Sequence, residues 1–128
     1  MNYYFSKHIE NTSFNEVVEK VTEALKSQGF GVLTEINIRE TMKKKLDVDF
    51  RPYVILGACN PPYALKALEA EDHIGTMLPC NVIVQEKGNG IEVAAVDPVA
   101  SMQAIDNSDL AVIAEEIRSR LNHVINSL

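Results

Sequence analysis

The sequence predicts an α+β fold of two layers, with a mostly antiparallel sheet of about five strands and helices packed on one of its faces. Three observations predict it. Short runs rich in β-branched and aromatic residues alternate with segments whose apolar residues recur at helical spacing. The pair Asn89-Gly90 marks a tight hairpin, a connection that only antiparallel neighbours can share. The 128 residues, 46% apolar and 23% charged, are enough to bury one hydrophobic core without metal or disulfide staples. The chain is therefore read as a single domain over residues 1–128, without internal repeat, linker or low-complexity segment.

Taken in order, residues 2–9 (NYYFSKHI) suit a strand. Ser13 and Glu16 then form a capping-box pattern that starts a helix. Phe14, Val17, Val18, Val21, Ala24 and Leu25 give it one apolar stripe, and Gly29 ends it. Residues 30–39 alternate as a half-buried strand, with Val32, Thr34, Ile36 and Ile38 on one side. Residues 40–46 form a short helical turn anchored by Met42 and Leu46. Pro52 limits pairing before residues 53–58 (YVILGA), whose unbroken apolarity predicts a central strand covered on both sides or buried at an interface.

Asn60 is placed to cap a helix over about 61–70, with a proline at its first position and with Ala64, Leu65 and Leu68 inward. Residues 71–79 read as a loop. A strand over 81–85, the hairpin at 87–90 and a returning strand with Ile91, Val93 and Ala95 inward come next. After a short segment at Asp97-Pro98 carrying Met102 and Ile105, a last helix starts near Ser108. Its apolar stripe persists to Leu128, with acidic residues early and basic residues late, as a helix dipole favours.

Eighteen acidic against twelve basic residues leave a net charge of -6, which repels nucleic acid and anionic membrane surfaces. Lys43, Lys44 and Lys45 form one visible basic patch, and three lysines on a solvated helix face fall short of a nucleic-acid footprint. No stretch approaches the roughly 18 to 20 apolar residues of a membrane span. The reading is therefore a cytoplasmic protein without nucleic-acid or membrane partners, whose two cysteines are thiols.

Candidate chemistry concentrates in residues 49–84, which hold both cysteines and four of the five prolines. The motifs Gly57-Ala58-Cys59-Asn60-Pro61-Pro62 and Leu78-Pro79-Cys80-Asn81 each set a cysteine and an asparagine beside proline, where a strand meets a turn. If the two strands are antiparallel neighbours, both thiols reach the same sheet edge, and Cys59 precedes a helix start whose partial positive charge favours a thiolate. Free cysteine also serves as a small buried hydrophobe, which is the packing alternative for both. A metal held by Cys59 and Cys80 needs further ligands, for which His73, between them in sequence, is the nearest histidine. Pro61 and Pro62 lack amide donors, so this helix start is a poor phosphate cradle. Arg51, Asp47, Asp49 and Asp97 form the one possible acid/base group, and carboxylates at turns usually cap backbone. No hydrolase, zinc-protease, calcium or nucleotide motif is present.

The segments LTEINIRETMKKKLDVDFRPYVILGACNPPYALKALE and GTMLPCNVIV, with the Val96-Asp97-Pro98 step, resemble the bacterial and archaeal family called domain of unknown function family 302. The resemblance implies a compact α+β fold with an antiparallel sheet and a homodimeric assembly. It implies no catalytic residues, because no activity is established for the family. The functional expectation is a small dimeric binding module for a small molecule or metal, with Cys59, Asn60, Pro61, Cys80, Asn81 and His73 around its pocket. The alternatives are a thiol redox or soft-metal protein using Cys59 and Cys80, and a structural dimer without ligand chemistry.

Overall fold

The computed structural model describes residues 2–128. The chain runs β1 (Tyr4–Ile9), α1 (Phe14–Ser27), β2 (Gly31–Asn37), α2 (Ile38–Leu46), β3 (Tyr53–Cys59) and α3 (Pro61–Ala70), followed by a 3₁₀ helix (Asp72–Met77), β4 (Cys80–Lys87), β5 (Gly90–Val96), α4 (Pro98–Ser101) and α5 (Ser108–Asn126). The five strands form one sheet in the order β1-β5-β4-β3-β2, every neighbour antiparallel. The fold is α+β, as expected.

Strand alternation builds the core. Val54, Leu56 and Ala58 of β3, Cys80, Val82 and Val84 of β4, and Ile91, Val93 and Ala95 of β5 point to one face. There they meet Val17, Val21 and Leu25 of α1 and Ile117, Leu121, Val124 and Ile125 of α5. Burying each of these larger side chains contributes on the order of 2 kcal/mol. A second cluster, made by Ala67, Ile74, Met102, Leu110 and Ala114, holds α3 and the 3₁₀ helix against α5.

The Ser13 cap that the sequence indicates for α1 is formed. Ser13 Oγ accepts from the Glu16 amide at 3.2 Å, and Gly29 takes φ +85° just beyond α1. Asn107 starts α5 by accepting from the amides of Asp109 and Leu110.

Four elements differ from expectation. β2 stops at Asn37 because that side chain accepts from the Glu40 amide at 3.0 Å, so Ile38 and Arg39 open α2 and do not extend the strand. β3 lies inside the sheet between β4 and β2, as expected, but within the chain only one of its faces is covered. Its alternate residues Tyr53 and Ile55 lie on a sheet face that also carries Ile83, Ala94 and Val96 and on which neither core helix packs. α3 turns Ala67 inward, leaving Leu65 60% and Leu68 42% exposed. Residues 71–79 contain the 3₁₀ helix, pinned by fully buried Ile74, where a plain loop was read. Among the described residues no helix is long and apolar enough to cross a membrane.

Candidate functional site: an apolar cleft at the two motifs

The antiparallel register of β3 and β4 pairs Ala58 with Cys80 and Gly57 with Asn81, which brings the two motifs together. Most of their residues have a packing reason to be what they are. A Cβ on Gly57 would overlap Thr34 Oγ1 and come within 2.7 Å of Pro79 Cγ, so only glycine allows β2 and the Pro79 ring to close over this position. Ala58 and Cys80 sit in the core opposite each other. Pro61 occupies the first position of α3, where its missing amide hydrogen leaves no bond unmade.

Asn60 stands at the N-cap position of α3, yet its side chain makes no cap bond, contrary to the sequence reading. Buried beneath the end of α1, its Nδ2 donates to the Gln28 carbonyl at 3.1 Å. Arg120 Nη1 donates to the same carbonyl at 3.3 Å, so α1, α3 and α5 share one acceptor. Gly29 is the small residue that lets the amide in, its virtual Cβ lying 3.1 Å from Asn60 Nδ2.

Beside these residues opens a cleft of about 240 Å³. Ala58, Cys59, Asn60, Pro79 and Cys80 form its sheet side, and Phe30, Leu33, Ala64, Leu68, Leu78 and Ile117 complete it. Its lining is almost wholly apolar. Leu33 arrives there through a β-bulge: Val32 pairs with Ala58 and Thr34 with Gly57, so Leu33 is the extra residue and stays 68% exposed. No periodicity marks such a bulge, and the sequence reading missed Leu33 as a lining residue.

Of the six expected site residues, the cleft gathers Cys59, Asn60 and Cys80. Pro61 begins the adjacent helix. Asn81 turns to the opposite, uncovered face. His73 is exposed, with Nδ1 3.8 Å from a Glu71 oxygen and 4.0 Å from an Asp72 oxygen. The two cysteines are unbonded, and the register sets Ala58 rather than Cys59 opposite Cys80. Burial, and to a lesser degree the neighbouring Cys59, push the Cys80 thiol up from 9.0 to about 11. At neutral pH it is a protonated, unreactive hydrophobe. Among the described residues no group of three or more His, Cys, Asp and Glu side chains is arranged to hold a metal ion. The acid/base group does not assemble either. Asp47 and Asp49 pair with Lys43, while Asp97 accepts from the Val99 amide and from Arg118 Nε at 3.2 Å.

Comparison with known proteins matches residues 5–128 to the model of a family described as domain of unknown function DUF302. Among solved structures, the chain is similar to the crystal structure of the uncharacterized conserved protein DUF302 from Bacillus stearothermophilus. The two are 29% identical, with a TM-score of 0.91 over 98% of each chain. No curated protein matches significantly.

Proposed function

Because the chain belongs to the DUF302 family, whose description carries no activity, we propose from geometry alone that it is a small binding module, and that its cleft receives an apolar group of a small organic ligand. The observation that carries this reading is the cleft itself. At about 240 Å³ and open to solvent, it is smaller than the usual whole-ligand site of roughly 300 Å³ upward and has room for one apolar group, and its lining offers packing surface with few polar demands. Cys80 belongs to this lining as a thiol. Two unbonded cysteines also fit a reducing compartment, the cytoplasm in this reading.

Toluene is the simplest probe. Titrated into the protein and followed by amide chemical shifts, it is expected to move Cys59, Ala64, Leu68 and Cys80 saturably, with a dissociation constant of about 1 mM. Ala64 is part of the lining on α3, so Ala64→Phe fills the cleft and abolishes those shifts while the fold's melting transition persists. Non-saturating shifts, or undiminished binding by that variant, refute the reading.

Assembly is the second reading, favoured by a separate observation. Leu33, Leu65, Leu68 and Met77 are 68%, 60%, 42% and 42% exposed. Leu33 and Leu68 line the cleft itself, and Leu65 lies on the same helix one residue beyond Ala64. An apolar rim of this kind is what a homodimer would cover. Sedimentation velocity is expected to give the mass of a dimer for the native chain and of a monomer for Leu65→Lys. A native chain that sediments as a monomer at all concentrations excludes the dimer and leaves the cleft reading intact.

A further inference from the structure

On the sheet face away from the core helices lies a second groove, of about 450 Å³. Tyr3, Tyr4 and Tyr53 present three phenol rings around it, and Gln85 and Ala94 form a buried part of its floor. This volume falls in the usual range for small-molecule sites, roughly 300 to 1,000 Å³.

A chain of polar contacts runs through its lining residues Lys87, Glu92 and Gln85 and ends on Arg51, which stands outside the lining at the Tyr53 end. Lys87 Nζ lies 3.6 Å from a Glu92 oxygen. The other Glu92 oxygen accepts from Gln85 Nε2 at 2.8 Å, and Gln85 Oε1 accepts from Arg51 Nε at 2.9 Å. The Arg51 guanidinium carbon stands 4.5 Å from the centre of the Phe50 ring and 5.5 Å from that of Tyr53. The two ends of this chain differ in charge balance. Glu92 is answered by Lys87, and Gln85 is neutral, so nothing in the chain offsets Arg51. Among the described residues no carboxylate lies within 4.0 Å of its nitrogens.

An exposed arginine normally gains little from an anion, because ordering its long side chain offsets the attraction. Here much of that ordering is already made, since a buried amide holds Nε and the edge-to-face pair of Phe50 and Tyr53 packs against the guanidinium. The two terminal nitrogens carry the remaining donors, and a planar fork of donors matches a carboxylate.

We propose that the Tyr53 end of this groove binds a small planar organic anion, whose carboxylate is held by Arg51 at the rim and whose ring packs against Tyr53. The charge complementarity to Arg51 sets the sign of the ligand, and Tyr53 sets its planar body. The site is distinct from the motif cleft and does not rest on it.

The test uses 4-hydroxybenzoate and its uncharged relative 4-hydroxybenzamide, each titrated into the full chain and followed by amide shifts. 4-Hydroxybenzoate is expected to shift Tyr53, Gln85 and Glu92 saturably, with the benzamide binding at least ~10-fold more weakly. Arg51→Gln, which gives up the contact to Gln85 and lowers the melting temperature by a few degrees while the chain still folds, is expected to lose binding to the same degree. Arg51→Lys, which keeps the charge without the fork, recovers only part of it. The Ala64→Phe variant is expected to bind 4-hydroxybenzoate as the native chain does, so failure of the cleft reading and failure of this one are separately visible. Equal affinity for acid and amide, undiminished binding by Arg51→Gln, or shifts confined to Leu33, Ala64 and Leu68 would overturn the proposal.

Discussion

Replacing Gly57 by alanine is expected to destabilise the fold by about 3 kcal/mol, the upper end of the usual range for overpacking. Two atoms occupy the space the methyl group needs, and they differ in how they can yield. Thr34 Oγ1 can swing away by a rotamer change, whereas Pro79 Cγ, 2.7 Å from the new carbon, can shift only within the small range of its ring pucker. The ring yields further only if the backbone of β4 moves, and β4 is paired on both sides. For a chain of this length the loss corresponds to about 10 °C in melting temperature. Adding Thr34→Ala to the variant removes the hydroxyl and is expected to restore about 1 kcal/mol, leaving the clash with Pro79. Urea melts of the native chain, both single variants and the double variant measure this. A Gly57→Ala midpoint equal to that of the native chain would show that β2 or β4 gives way freely, against the packing argument for this motif.

Alkaline pH should expose the buried thiol. Burial raises Cys80 from 9.0 to about 11. The folded chain therefore holds this proton where the unfolded chain has lost it. Below pH 9 both states are protonated and the group contributes no pH dependence. Between pH 9 and 11 the unfolded state ionises first, so stability falls as pH rises, and above about 11 the full difference, about 3 kcal/mol, has been lost. Comparison with Cys80→Ala isolates the share of this thiol. That variant is less stable than the native chain at pH 7 by the lost packing, about 1 kcal/mol, and lacks the alkaline loss at this site. The gap between the two is expected to close and then reverse by pH 11. A constant gap from pH 8 to 11 would mean that the thiol is hydrated in the folded state.

Much of the fold was legible because its signals are local. The Ser13 and Glu16 cap, the Asn89-Gly90 hairpin and the stripe of α5 each depend on residues within a few positions of one another. Where expectation failed, a competing local signal or a distant partner decided. Asn37 and Glu40 formed a second capping pattern that outweighed the continuing alternation of Ile36 and Ile38. α3 carried apolar residues on more than one face, and only the positions of α5 and the 3₁₀ helix made Ala67 the buried one. The two motifs present Cys59, Asn60, Cys80 and Asn81 as a set, each a cysteine and an asparagine beside proline. Register sorted them, because alternation sends neighbouring positions of β4 to opposite faces and separates Cys80 from Asn81. Asn60 finds its acceptor 32 residues away on Gln28, and Arg51 finds Gln85 at a separation of 34. Neither pairing leaves a periodic trace. The cleft draws on β2, β3, β4, α3 and α5, so it exists only once those elements are packed.

The strand order has a consequence for how the chain emerges during synthesis. β2, β3, β4 and β5 follow one another as a meander, each able to pair with its predecessor soon after it appears. β1 cannot do this, because it pairs only with β5, so Ile9 meets Ile91 across most of the sequence. At a ribosomal rate of ~5 to 20 residues per second, its aromatic and β-branched residues wait on the order of 4 to 16 seconds without their native neighbour. Through that interval the earliest strand to be made is the last to gain a place in the sheet, and its protection falls to whatever binds nascent chains.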